Sequence, residues 1–313
     1  MSALATKHLL NIEDLTADEI YVVLDTARGF QEVNTRTIKK LPTLRGRTIV
    51  NLFLESSTRT RTSFEIAAKR LSADGVNFSA STSATAKGES LIDTAETLNA
   101  MGIDMIIIRH AYAGSPYTLT QHTDAVIING GDGKHQHPTQ ALLDMFTMRE
   151  HFGYLKGLKV AIVGDIGHSR VFGSLAPGLA MLGAEVTAIA PKTLLPAQPE
   201  ILGARVIHSL DAELENFDVL YMLRIQQERI ERAPFPTLRE YARLYGMNAA
   251  RLARMKPEAI LMHPGPVNRG VELTSEAIDT ARNLLLDQVN AGVAVRMALM
   301  YLLLGGDADV ITA

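Results

Sequence analysis

The chain contains no cysteine. Disulfides, thiolate nucleophiles and cysteine-bound zinc are therefore excluded within it. The lack suits a reducing compartment, and the expected location is cytoplasmic. A basic block is also missing. The 31 Lys+Arg against 34 Asp+Glu leave a net charge of −3, which argues against a protein that coats nucleic acid. No apolar run is long enough for a membrane partner. The most apolar late segment, Val293 to Leu304, is broken by Arg296 and is too short to span a bilayer. The first ten residues lack a long apolar stretch and soon meet Glu13 and Asp14, so no secretory signal is read there. Repeats, low-complexity tracts and flexible linkers do not stand out.

Several kinds of chemistry are missing too. No pair of carboxylates forms an evident acid/base dyad. His135 and His137, two apart in a glycine-rich loop, make a weak metal motif. Gly164-Asp-Ile-Gly-His-Ser-Arg170 lacks the G-x-G-x-x-G spacing, and Asp165 would face a pyrophosphate unfavourably. Neither a cofactor nor a metal is expected.

What is present begins with Glu55-Ser-Ser-Thr-Arg-Thr-Arg-Thr-Ser-Phe-Glu65. The apolar stretch Thr48 to Leu54 before it predicts a buried strand. Phe64, Ala67, Ala68 and Leu71 after it recur at helical spacing. Hydroxyls and two arginines thus fall where a strand turns into a helix. Amide N–H groups at a helix start have no intrahelical partner and carry partial positive charge. Guanidinium forks and hydroxyls added there suit a phosphate dianion. Helix caps on a surface helix would explain one or two of these residues, not the whole run.

The remaining chain alternates strand and helix signals, which predicts parallel sheets covered by helices. Strands are read at 48–54, 76–79, 105–108, 125–128, 159–163, 185–190, 206–207, 218–223 and 259–262. Thr16 and Glu19 form a capping box for the first helix. The fold class is α/β, with two domains that each hold a parallel sheet flanked by helices and an active site in the cleft between them. The expected boundaries are 1–137 plus 285–313 for one domain and 138–284 for the other. A long amphipathic helix over about 283–304 returns to the first domain as a brace.

Polar clusters follow six of these strands: Ser57 to Arg61, Arg109-His110, Asn129 to Gln140, Gly164 to Arg170, Arg224-Ile-Gln226, and His263 to Arg269. Open parallel sheets bind ligands beyond the carboxyl ends of their strands. The clusters are cationic, with Arg59, Arg61, Arg109, Arg170, Arg224 and Arg269 as candidates for an anionic substrate. His137 reads either as a residue capping the helix at Pro138 or as a donor that polarises a carbonyl oxygen. Arg224 and Gln226 alternate, so both side chains fall on one side.

Ser57-Thr-Arg-Thr-Arg61, Lys87-Gly-Glu89, Arg109-His110, His137-Pro-Thr-Gln140, Arg224-Ile-Gln226 and His263-Pro-Gly-Pro266 occur in an order that resembles the catalytic chains of aspartate carbamoyltransferases. The resemblance covers nearly the whole chain. Ornithine-specific relatives usually carry cysteines and a Ser-Met-Gly segment, both missing here. A carbamoyltransferase for ornithine or another amino acid is the nearest alternative, followed by an inactive scaffold homologue.

The resemblance implies roles. Ser57, Thr58, Arg59, Thr60 and Arg109 would bind the phosphate of carbamoyl phosphate. Thr60, Arg109 and His137 would contact its carbonyl oxygen. Gln140 and the carbonyls of Gly265 and Pro266 would hold the carbamoyl NH2. Arg170, Arg224 and Gln226 would bind the carboxylates of L-aspartate. Ser83 and Lys87 would reach from a neighbouring subunit of a homotrimer, with Lys87 also contacting aspartate. Segment 228–241 would be the loop that moves during turnover. A regulatory chain or a dihydroorotase-like partner is left open by the chain alone.

Overall fold

The computed structural model describes residues 4–79, 89–198, 201, 203–226 and 237–305. Among them, nine strands run in chain order: β1 (Thr48–Phe53), β2 (Asp74–Ser79), β3 (Met105–His110), β4 (Val126–Asp132), β5 (Lys159–Val163), β6 (Glu185–Ile189), β7 (Ala204–Ile207), β8 (Val219–Met222) and β9 (Ile260–Met262). The helices are α1 (Ala17–Val33), α2 (Thr58–Arg70), α3 (Leu91–Ala100), α4 (Ser115–Thr120), α5 (Pro138–Phe152), α6 (Arg170–Met181), α7 (Leu238–Tyr245), α8 (Ala249–Arg254), α9 (Ser275–Ile278) and α10 (Leu285–Leu304). The chain divides into two compact units, Met1–Phe146 with Val289–Ala313, and Thr147–Gln288.

The first unit holds a parallel sheet in the order β2-β1-β3-β4. Alternate residues on its strands face opposite sides. Val50, Leu52, Ile106, Ile108 and Ile127 pack with Ala95 and Leu98 of α3 and Leu119 of α4. Ile49, Met105, Ile107 and Ile128 are equally buried, as befits a parallel sheet covered on both faces. α2 forms because Phe64, Ala67, Ala68 and Leu71 bury one stripe. Thr16 caps α1 through a reciprocal bond with Glu19.

β4 runs past the predicted end at Ile128 to Asp132. Its pairing continues across an irregularity in β3, so that His110 pairs with Asp132. The Gly130-Gly131 pair hid that extension, because glycine is depleted in strands. The last helix differs from an amphipathic one. Every residue from Ala294 to Leu303 is buried, Arg296 included. That C-terminal part has no polar face to reveal, whereas Leu286, Asp287, Val289 and Asn290 in the first turns are exposed.

The second unit holds a parallel sheet in the order β7-β6-β5-β8-β9. β5 and β8 are solvent-shielded beyond Lys159. Gly164 ends β5 at φ +129°, where a Cβ would lie 2.8 Å from the Leu223 carbonyl oxygen. Only glycine permits that backbone and that approach. Among the described residues, no helix is long and apolar enough to cross a membrane.

Candidate active site

Each sheet changes direction of growth at one strand pair. In the first unit, β1 lies between β2 and β3, and the crevice beyond the carboxyl ends of β1 and β3 is the switch point. Ser57 to Arg61 follow β1 at the start of α2, and Arg109 is the penultimate residue of β3.

Phe53 at the end of β1 pairs with Arg109 on β3, and Leu54 N–H donates to the Arg109 carbonyl at 2.9 Å. This register sets the Arg109 side chain beside the start of α2. Arg109 Nη1 donates to Ser57 Oγ at 3.0 Å and lies 3.5 Å from Thr60 Oγ1. Glu55 Oε2 is 3.5 Å from Arg109 Nε. Ser57 occupies the N-cap position of α2 in an extended conformation, yet its side chain makes no cap bond. The hydroxyl is engaged by Arg109 instead. A helix start with a guanidinium alongside is an anion site. Thr60 is buried, whereas Thr58 and Arg59 are exposed and Arg61 is half-buried.

His137 and Gln140 stand at the start of α5. The His137 carbonyl accepts from Gln140 N–H at 3.0 Å and Ala141 N–H at 3.2 Å. It therefore serves as the helix-start residue with its backbone, followed by Pro138 at the first position. Its buried imidazole has Nδ1 3.5 Å from Thr139 Oγ1.

The loop before α5 is tied by Asp132, a buried acid the sequence did not flag. Its Oδ1 accepts from Asn129 Nδ2 and Gln136 N–H at 2.9 and 3.0 Å. Its Oδ2 accepts from Gly114 N–H at 2.8 Å and faces His135 Nδ1 at 3.2 Å. Burial alone would raise the Asp132 pKa, but these bonds outweigh it and leave the pKa lowered. The bond to Asp132 raises that of His135. His110 shifts downward because it is partly desolvated, and its Nδ1 accepts from Tyr112 N–H at 3.0 Å.

In the second unit the switch point lies between β5 and β8. Arg170 opens α6 behind its N-cap Ser169 and is buried. Beyond β8, Arg224 and Gln226 are half-buried while Ile225 between them is buried. The alternation expected from the sequence continues even though β8 ends at Met222. Two buried acids grip this segment by successive amides. Glu272 Oε1 accepts from Ile225 N–H at 2.9 Å, and Asp165 Oδ2 accepts from Gln226 N–H at 3.2 Å. Asp165 Oδ1 also faces His168 Nδ1 at 2.7 Å, and Gln226 Nε2 donates to the His168 carbonyl at 3.0 Å. Asn268 donates to both Glu272 oxygens, at 2.9 Å from Nδ2 and 2.7 Å from N–H. Burial raises the Glu272 pKa. Nothing in the sequence links Glu272 to Ile225.

His263 begins the loop that carries Gly265 and Pro266. Its N–H donates to Gln288 Oε1 at 3.0 Å, and its Nδ1 accepts from Gly265 N–H at 2.8 Å. The Gly265–Pro266 bond is cis. Arg269 is exposed. Ser83, Lys87 and most of segment 228–241 lie outside the described residues. Among the described residues, no group of three His, Cys, Asp or Glu could hold a metal ion.

Comparison with known proteins finds two family domains. Residues 7–150 match the family model described as aspartate/ornithine carbamoyltransferase, carbamoyl-P binding domain. Residues 156–303 match its Asp/Orn binding domain. The aspartate carbamoyltransferase catalytic subunit of Thermobifida fusca is 57% identical over 96% of this chain and 96% of its own length. That of Syntrophotalea carbinolica is 55% identical, again over 96% of each. Among solved structures, aspartate transcarbamoylase from Trypanosoma cruzi, in complex with carbamoyl phosphate and aspartate, superposes with a TM-score of 0.87. It is 29% identical and covers 96% of this chain and 97% of its own. Ornithine carbamoyltransferase from Pyrococcus furiosus gives a TM-score of 0.85 at 29% identity, over 98% and 99% of the two chains. The chain belongs to the aspartate/ornithine carbamoyltransferase family.

Proposed function

We propose that this chain transfers the carbamoyl group of carbamoyl phosphate to the α-amine of L-aspartate, giving N-carbamoyl-L-aspartate and phosphate for pyrimidine biosynthesis. The observation that carries the reading is Arg109 seated on Ser57 and beside Thr60, at a helix start on the switch point of a parallel sheet. That arrangement suits a phosphate dianion next to a developing oxyanion.

The unit formed by 1–146 and 289–313 is assigned to carbamoyl phosphate, and the unit 147–288 to aspartate. Ser57, Thr58, Arg59, Thr60 and Arg109 take the phosphate. Thr60, Arg109 and His137 stabilise negative charge on the carbamoyl oxygen. Gln140 and the carbonyls of Gly265 and Pro266 are assigned to the carbamoyl NH2. Arg170, Arg224 and Gln226 are assigned to the aspartate carboxylates. The neutral amine attacks the carbamoyl carbon, and a C–N bond forms as the carbonyl becomes a tetrahedral oxyanion. The C–O bond to phosphate then breaks, and the amine proton leaves with the departing phosphate. Positioning the two reactants supplies much of the rate.

A homotrimer in which Ser83 and Lys87 serve a neighbouring subunit belongs to the same reading, supported by the resemblance of segment 81–87. A cytoplasmic location is supported by the lack of cysteine. The acceptor is the point where the family divides. Arg224 favours a dicarboxylate over the cationic side chain of ornithine. Phosphate release from carbamoyl phosphate, measured on the purified chain with aspartate or ornithine, tests the reading. Turnover with aspartate alone supports it, and turnover only with ornithine overturns it. Arg224→Ala should raise the KM for aspartate far more than that for carbamoyl phosphate.

A further inference from the structure

The turn of α5 that carries Gln140 also carries a buried acid. Gln140 and Asp144 are four residues apart, and Gln140 Nε2 donates to Asp144 Oδ1 at 3.0 Å. Residues at that spacing share one face of a helix. Both side chains are buried, Asp144 completely. An ionised carboxylate offers only acceptors. The amide nitrogen must therefore be the atom that faces it, and the planar amide sends Oε1 to the other side.

Arg296 of α10 is a buried cation that feels the charge of Asp144. Arg296 Nη1 donates to the Gly292 carbonyl at 3.1 Å, and the guanidinium sits 5.0 Å from the centre of the Phe64 ring. A Cβ at position 292 would lie 2.5 Å from Arg296 Nη1, so the glycine makes room for the guanidinium within the helix. Burial lowers the Arg296 pKa to about 10, which still leaves it cationic at neutral pH.

We propose that Asp144 is a positioning residue that locks the Gln140 amide with Nε2 inward, so that Oε1 is presented as an acceptor to the NH2 of the carbamoyl group. This rests on the assignment of Gln140 to the carbamoyl group made above. The consequence is selectivity for carbamoyl phosphate over acetyl phosphate, which carries CH3 in place of NH2. With the amide flipped, two NH2 groups would oppose one another and the carbamoyl donors would be left unpaired. Sites that hydrogen-bond a substrate group discriminate strongly against analogues lacking it.

Asp144→Asn tests this, because an asparagine amide can donate or accept and so permits both orientations of Gln140. The kcat/KM for carbamoyl phosphate should fall roughly tenfold or more, the size of one well-made hydrogen bond. The inhibition constant of acetyl phosphate, used as a competitor, should stay within about twofold, because its methyl group makes no such bond. Equal weakening of both anhydrides would mark a merely structural role and overturn the inference. An unchanged kcat/KM in a folded Asp144→Asn enzyme would overturn it as well.

If the uncompensated Arg296 charge unfolds that variant, Asp144→Asn with Arg296→Met removes both charges and the same comparison applies. Asp144→Asn with Gln140→Glu gives a rescue test. The pair is then reversed, with the amide at position 144 and the carboxylate at position 140. The amide would donate to one carboxylate oxygen and leave the other facing the carbamoyl NH2. Activity above that of either single variant supports the lock. Gln140→Ala separates the two levels of the claim. An impaired Gln140→Ala beside an unaffected Asp144→Asn sinks only the positioning role. A fully active Gln140→Ala removes the assignment of Gln140 and the inference with it.

Discussion

Arg109 Nη1 donates to Ser57 Oγ at 3.0 Å across 52 residues of sequence. Two parallel strands bring the pair together, since β1 ends just before Ser57 and β3 ends with Arg109 and His110. The serine does not spend its hydroxyl on capping α2. Both groups are thereby held beside the amides that open the helix, where a dianion is most stable.

Arg109→Ala should therefore lower kcat/KM for carbamoyl phosphate by roughly 10²–10³, the usual loss for one transition-state donor. The inhibition constant of inorganic phosphate should rise as well, because the arginine is assigned to that group. A variant that binds phosphate as the wild type does would remove Arg109 from the anion site.

The His137 backbone opens α5, and its imidazole is assigned to the carbamoyl oxygen. Its carbonyl accepts the Gln140 and Ala141 amides of α5. His137→Ala should keep the helix and the melting temperature while kcat drops by roughly 10²–10³. An early-melting variant with full kcat would return the imidazole to a structural role.

The strands were legible because the sheets are parallel and covered, so their strands read as short Val/Ile/Leu runs. The placement of the polar clusters beyond the strand ends was legible because each follows a short apolar run, and such ends are where parallel sheets bind ligands. Asp132, Asp165 and Glu272 were not. A buried acid that accepts backbone amides looks in sequence like any surface acid, because an amide leaves no side-chain signal, and some partners lie far along the chain, as Ile225 does for Glu272. Asp144 had a local signal in its spacing from Gln140. The strand-to-helix turn at the polar run 57–61 was legible, but sequence did not show that Arg59 would be exposed and Thr60 buried.

Glu272→Gln would place an amide NH2 against the N–H of Ile225 or Asn268, both of which now donate to the carboxylate. Opposed buried donors cost about 1–3 kcal/mol. The variant should melt earlier. Because Ile225 links Arg224 to Gln226, the KM for aspartate should also rise, with the inhibition constant of phosphate unchanged. Equal loss at both substrates would mean that Glu272 supports the fold at large and not the acceptor segment.

The His135–Asp132 pair sets a pH window. His135 has a raised folded pKa against an ordinary 6.5, owing first to its bond with Asp132. Its contribution is complete below about 6.5 and is lost as pH rises through the raised value. Asp132 has a lowered folded pKa against an ordinary 3.8. Its contribution holds above that value and is lost as pH falls through the lowered one. The histidine is half-exposed, so the pair is worth at most about 1 kcal/mol after screening. His135→Ala should lower the melting temperature more at about pH 5.5 than at about pH 8.5. A penalty that grows with pH would contradict the assigned pair.

The assignment of Lys87 to a neighbouring subunit has a complementation test. The segment Ala80-Ser-Thr-Ser-Ala-Thr-Ala-Lys-Gly88 is small and polar and offers little to a core. Lys87→Ala and Arg59→Ala should each be nearly inactive as homotrimers. A trimer mixing the two contains chains with intact Arg59 next to chains with intact Lys87. If the lysine acts across the subunit boundary, some of its sites combine both functional residues, and activity returns. If Lys87 acts within its own chain, every site keeps one defect whatever the mixture. Mixed trimers of verified composition that stay inactive would therefore reject sharing between subunits, while the assignment of carbamoyl transfer would stand on the single-variant kinetics.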